Sequence, residues 1–265
     1  MAAKEKAKGA VKTQSRRWRF ILAALAVVII VAALVAGFRF TSGFLFSDNP
    51  HFMLKRVTVT STGWWNGRSS RVREVLGLSD SVNLFQIDLK KFREILEDQP
   101  SIRQASVYRI LPDTLAVEVV ERIPRAALFD SQSRWVIDET GIVMDRETCI
   151  GAERNLPVIM GLDRKRRVEA GVEMPELQPA LNLITLVNTE FTDFRITAIS
   201  IRSQDQLTFI VFYQNEEQSY KVFMPVTKDL REMMFCLRST IAKAIRLGDY
   251  RRSVNLNFKG QAVLR

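Results

Sequence analysis

Nineteen uncharged, mostly aliphatic residues in unbroken succession, Phe20 to Phe38, constrain this chain of 265 residues more than any other feature. Wound as a helix at about 1.5 Å per residue, the run measures roughly 28 Å, close to the roughly 30 Å hydrocarbon core of a bilayer. The expectation is a single transmembrane helix over 20–38. Lys4, Lys6, Lys8, Lys12, Arg16, Arg17 and Arg19 precede it with only Glu5 opposing, whereas Arg39 alone follows at once. The excess of basic residues on one flank keeps the tail, 1–19, in the cytoplasm and sends the rest across the membrane, a type II arrangement. A cleaved signal peptide ending at Val31-Ala32-Ala33 is the competing reading, and the continuation of the apolar run past that point weighs against it.

The net charge of +10 suggests nucleic acid until it is divided. Seven Lys/Arg against one Glu in the tail leave 32 basic and 28 acidic residues elsewhere, a surplus of only four. The basicity is mainly a topology signal, and no nucleic-acid partner is expected. Cys149 and Cys236 are far apart and lack ligand spacing, so neither a zinc site nor a disulfide framework is indicated; a single bridge between them and two free thiols both stay open.

After a membrane-proximal linker, 39–52, the pattern of apolar residues is that of an α+β chain. Val57 and Val59 alternate with polar residues as in a half-buried strand. Ser69 or Ser70 is placed to cap a short helix through Val72 and Leu76, and Asp88 to cap a second with Leu89, Phe92, Ile95 and Leu96 on one face. Strands over 102–110 and 115–119 follow, joined by a turn at Pro112-Asp113. Strand, helix, helix, strand, strand over 53–122 describes a POTRA-like unit.

From 123 to 265 a mainly antiparallel β domain with two helices is expected. Short strands at 126–129, 134–137 and 142–144 come first, the last two joined by the turn Asp138-Glu139-Thr140-Gly141. A helix over 175–188 precedes three alternating strands, 196–202, 206–213 and 219–224. A second helix, capped at Thr227, sets Leu230, Met233, Met234, Leu237, Ile241, Ala244 and Ile245 along one apolar stripe. The final hairpin pairs 253–258 with 261–265 across Lys259-Gly260, and its last strand has no successor to pair with.

The segment Tyr108-Arg109-Ile110-Leu111-Pro112-Asp113-Thr114-Leu115, with Glu121, Arg122 and Pro124 after it and Asn83-Leu84-Phe85 before it, resembles the signature of the FtsQ/DivIB cell-division family. The order of tail, span, POTRA and β domain resembles that family along the whole chain. The resemblance implies a non-enzymatic scaffold of the cell inner membrane at the division septum. Its bulk would lie in the periplasm, its partners would be FtsB/FtsL-like single-pass proteins and other divisome proteins, and it would need no cofactor. It further implies that the partner is captured along the last strand, with Phe258 before the turn, Gly260 in it, and Gln261, Ala262, Val263 and Leu264 receiving. An edge strand offers unpaired amides and carbonyls to which an extended segment adds, and a proline at Val263 would remove one such donor. The chain stops at Arg265, where members of the family often continue with a clamping aromatic residue; main-chain pairing needs no particular side chain. The alternative function is a POTRA-containing secretion or envelope-assembly protein that guides client polypeptides.

No catalytic constellation emerges. His51 is the sole histidine and stands beside the membrane exit, which leaves no histidine-based triad in the outer domains. Asp138-Glu139-Thr140-Gly141 is read as turn chemistry. The run Arg164-Lys165-Arg166-Arg167 reads as a solvated loop, or more sharply as a patch for anionic lipid or an acidic partner. Trp64 and Trp65, between Gly63 and Gly67, either anchor at a membrane interface or partner, or fold back onto the domain.

Overall fold

The computed structural model describes residues 18, 22–37, 49–79, 82–129, 134–149, 155–162, 168–203, 205–214, 217–226, 229–258 and 261–265. Of the expected span, residues 22–37 form a helix, α1, whose sixteen residues, fifteen of them with apolar side chains, are all exposed. Among the described residues no helix is long and apolar enough to cross a membrane. Phe20, Ile21 and Phe38, at the ends of the run, lie outside the described residues, as do 1–17 and 19 of the tail and 39–48 of the linker.

The expected order β1 (Arg56–Thr60), α2 (Ser69–Val75), α3 (Leu89–Glu97), β2 (Ile102–Ile110), β3 (Thr114–Glu121) is present, with the strands in a sheet of order β1-β3-β2. Ser69 does not cap α2: it is the first helical residue, and Arg68 before it makes no side-chain cap bond. A backbone turn begins the helix instead, the Arg68 amide donating to the Trp65 carbonyl and the Val72 amide to that of Arg68, each at 3.1 Å.

A nine-stranded sheet follows, of order β12-β11-β10-β9-β8-β7-β4-β5-β6. Its strands are β4 (Ala126–Leu128), β5 (Trp135–Ile137), β6 (Val143–Asp145), β7 (Val158–Met160), β8 (Phe194–Ser200), β9 (Gln206–Tyr213), β10 (Ser219–Pro225), β11 (Ser253–Phe258) and β12 (Gln261–Leu264). Two helices, α4 (Gln178–Glu190) and α5 (Leu230–Arg246), share one core with it: Leu181, Ile184 and Val187 from α4, Met234, Leu237 and Ile241 from α5, and Ile199, Phe209, Val211, Tyr220, Val222 and Val254 from the strands. The methionine stripe of α5 is therefore core packing.

Pairing is antiparallel at five joints and parallel at three, β4·β7, β7·β8 and β10·β11. Two of the parallel joints have a helix between their strands, α4 for β7·β8 and α5 for β10·β11, since a chain returning to lie parallel needs a long crossover. β7 was not expected as a strand. Thr227, expected to cap α5, lies outside the described residues, and Asp229, which precedes the helix, makes no side-chain cap bond.

By packing, the chain forms two compact units. One takes the residues up to Arg56 with Ser79–Asp88 and Arg109–Leu115, the other Val57–Leu78, Leu89–Tyr108 and Ala116–Arg265.

Candidate functional site

β12 is the last strand of the nine-stranded sheet and, among the described residues, pairs antiparallel with β11 alone. The hydrogen-bond phase decides which of its groups are open. Ser253 and Arg265 exchange both backbone bonds, at 3.1 and 2.8 Å. In an antiparallel ladder the next residue then directs its N–H and C=O the other way, so Leu264 and Ala262 face out while Val263 faces Asn255 of β11. The side chains of Ala262 and Leu264 meanwhile pack on the core shared with α5. Residues that hold the strand by their side chains thus offer their backbone outward.

This changes the reading of Val263. Its amide belongs to the chain's own ladder, and a proline there would loosen β12 from β11 rather than blunt the outer margin. Phe258 closes β11 opposite Gln261 and is 47% exposed. A register shift between Asn255 and Phe258 bends the hairpin before its turn. Gly260 of that turn lies outside the described residues.

The opposite margin of the same sheet is covered. Val143 of β6 donates to the Val172 carbonyl at 2.9 Å and accepts from the Gly171 amide at 2.8 Å, and Ile142 bridges to Glu173. Both margins of the three-stranded sheet also meet their own chain. The Val59 carbonyl of β1 accepts from the Gly67 amide at 3.1 Å, and the Ala105 amide of β2 donates to the Glu97 carboxylate at 3.1 Å. These are single bonds on β1 and on the nine-residue β2, so among the described residues β12 is one of the sheet margins left partly open for strand addition.

The signature residues are architectural. Asp113 accepts from the Thr114 hydroxyl at 2.9 Å and from Arg56 at 3.2 Å, bonds that hold its carboxyl below the ordinary range. Its backbone carbonyl takes the Lys55 and Arg56 amides. Pro112 follows a cis peptide bond at the exposed turn, and Leu115 is fully buried. Arg109, two residues upstream of that turn's leucine, donates from Nε to the Leu84 carbonyl and from Nη2 to that of Ile87, both at 2.7 Å. It pins the turn Asn83-Leu84-Phe85, in which the buried Asn83 side chain accepts from the Phe85 amide at 2.9 Å.

Glu121 organises the loop after β1. Its carboxylate accepts from the Ser61 hydroxyl and from the Trp64 and Trp65 amides, the latter two at 2.8 Å. Glu121→Gln removes the charge and turns an amide group toward these donors. The expected cost is about 1–3 kcal/mol, read as a lower melting temperature and red-shifted tryptophan emission. Arg122 pairs with Asp138 at 2.9 Å, while Pro124 is buried.

Asp138 was expected only as a turn former, and it is one. Its Oδ1 accepts from the Thr140 and Ile142 amides, each at 2.9 Å. What escaped the sequence reading is its ion pair with Arg122, sixteen positions away.

The tryptophans fold back. Trp65 is 2% exposed and donates its indole N–H to Ser101 at 3.0 Å; Trp64 lies edge-to-face on it, under the Arg68 guanidinium. Both cysteines are free, and burial pushes the Cys149 thiol up to about 11. The run Arg164-Lys165-Arg166-Arg167 lies outside the described residues.

Comparison with known proteins points one way. Residues 62–122 match the family described as POTRA domain, FtsQ-type. The chain is 31% identical over 196 residues to a cell division protein FtsQ of Syntrophotalea carbinolica, covering 72% of this chain and 64% of that one. It is 29% identical over 164 residues to FtsQ of Novosphingobium aromaticivorans, covering 61% and 50%. To cell division protein DivIB of Clostridium acetobutylicum it is 24% identical over 169 residues, covering 63% and 66%. The chain therefore spans less than two thirds of the length of each of these relatives.

Proposed function

We propose that this chain, which belongs with the FtsQ and DivIB cell division proteins, is a non-catalytic scaffold whose β12 receives an extended segment of an FtsB-like partner, itself paired with an FtsL-like one. One observation carries the reading: Ala262 and Leu264 turn their backbone groups out along a margin that no other strand of the sheet occupies. A segment docked there adds a tenth strand, with main-chain bonds for affinity and side chains on alternate faces for selectivity.

The rest of the organisation follows the same reading. Residues 20–38 span the inner membrane once with the tail in the cytoplasm, which would give the exposed apolar side chains of α1 a lipid surround. The POTRA domain, 53–122, assists placement at the septum, and the β domain, 123–265, links early division proteins to those that build the septal wall. Confinement of scaffold and partner to one membrane raises their effective concentration, so a short strand contact suffices.

The test is capture of the partner from membranes by the full chain and by two variants. Ala262→Pro removes an outward donor and spares the β11·β12 ladder, so capture should fall roughly tenfold with melting unchanged. Val263→Pro should lower both capture and melting temperature. Undiminished capture by Ala262→Pro would remove the edge from the mechanism. Recovery of unrelated unfolded chains in place of one membrane partner would favour client guidance.

A further inference from the structure

The loop that leads into β11 reaches the open margin. α5 ends in a closure that its sequence dictates: Gly248 takes a left-handed φ of 64°, its amide donates to the Ile245 carbonyl at 3.1 Å, and the Asp249 amide returns to Ala244 at 2.9 Å. This pair of bonds past a helix end favours glycine at the turning residue, and it fixes Asp249 relative to α5. The Asp249 carboxylate in turn holds Arg251, accepting from its amide and Nε at 3.0 Å and from its Nη2 at 2.5 Å. These bonds keep the carboxyl down at about 2, so Asp249 stays ionised at any physiological pH.

Held in this way, Arg251 donates from Nη1 to the Leu264 carbonyl at 3.2 Å. That carbonyl is an outward acceptor of β12, where an added strand would place an amide.

We infer that Arg251 is a register stop for strand addition: it takes the last outward acceptor of β12, so that an incoming segment pairs with the Ala262 N–H and C=O and the Leu264 N–H and no further. The inference rests on the docking reading above. The contact is longer than the about 2.7–2.9 Å usual for a charge-assisted bond, and the Arg251 side chain is 59% exposed. The stop therefore biases the pairing without sealing the edge. Without it, the segment gains one bond and is free to shift by two residues, the smallest slip that keeps each side chain on its own face.

The experiment uses the full chain in lipid nanodiscs and a synthetic extended segment of the FtsB-like partner named above. Affinity is measured for the wild type, Arg251→Met and Ala262→Pro. Register is read separately in a Val263→Cys, Cys236→Ser background by disulfide formation with cysteines placed in turn along the segment. Arg251→Met should bind roughly three- to fivefold more tightly, the worth of about one exposed hydrogen bond. Its cross-links should spread from one segment position to positions two residues apart. Equal affinity with a single unchanged cross-link position would overturn the inference. So would weaker binding by Arg251→Met, which would make Arg251 a direct partner contact. If the wild type fails to bind the segment, or Ala262→Pro binds as well as it does, the docking reading itself falls and takes the stop with it; that failure is recognised without reference to position 251.

Discussion

Asp138→Ala is expected to destabilise the larger unit by about 3–5 kcal/mol, the cost of breaking a buried ion pair by removing one partner. Asp138 is 3% exposed, and the Arg122 side chain opposite it is half-buried, with 16% of its surface exposed. Alanine leaves the guanidinium without its carboxylate and strips the β5–β6 turn of the acceptor for the Thr140 and Ile142 amides. Asp138→Asn keeps an oxygen for those amides but puts an NH2 where Oδ2 accepted from Arg122, so the ion pair goes while the turn bonds stay, and its cost should be about half as large. Chemical denaturation followed by tryptophan emission checks both, because Trp135 sits in β5 and packs on the main core. A double-mutant cycle with Arg122→Met separates the pair from the turn, and near-additive effects would show that the pair contributes little.

The second large effect is expected at Arg109. Its two bonds to the carbonyls of Leu84 and Ile87 join segments more than twenty residues apart within the smaller unit. Arg109→Met keeps much of the side chain's apolar stem and deletes both donors, with an expected cost of about 2–4 kcal/mol. Local opening of that size speeds amide exchange by between about thirtyfold and several hundredfold. Peptides covering 82–88 and 110–115 should show it, while the core around Leu181 and Phe209 exchanges as in the wild type. Uniformly faster exchange along the chain would instead mean that Arg109 supports the whole fold.

What could be read ahead from the residues was whatever depends on side-chain period. Strict alternation marked β8, β9 and β10, the turn at Lys259-Gly260 marked the final hairpin, and the apolar stripe of α5 marked its buried face as far as Ala244, Ile245 being exposed. β7 went unread because three residues after Pro157 are too few to display a period. The parallel joints went unread because alternation reports which face is buried and is silent on strand direction. The same limit governs the candidate site. That β12 ends a sheet followed from its place at the end of the hairpin, whereas the outward turn of Ala262 and Leu264 depends on the Ser253–Arg265 bonds, which leave no mark in composition. Arg109, Asp138 and Arg251 likewise look like ordinary surface charges until their acceptors, or for Asp138 its cationic donor, are brought close by the fold.

The covered side at β6 has a consequence of its own. A sheet open at both sides can hand its pattern on from molecule to molecule without limit, whereas one closed at one side by Gly171 to Glu173 offers each copy a single margin, so copies of this chain cannot link in series through it. Through this sheet, complexes should be finite in stoichiometry, one guest per host. Crowding many copies into a narrow ring of membrane would raise occupancy without seeding filaments.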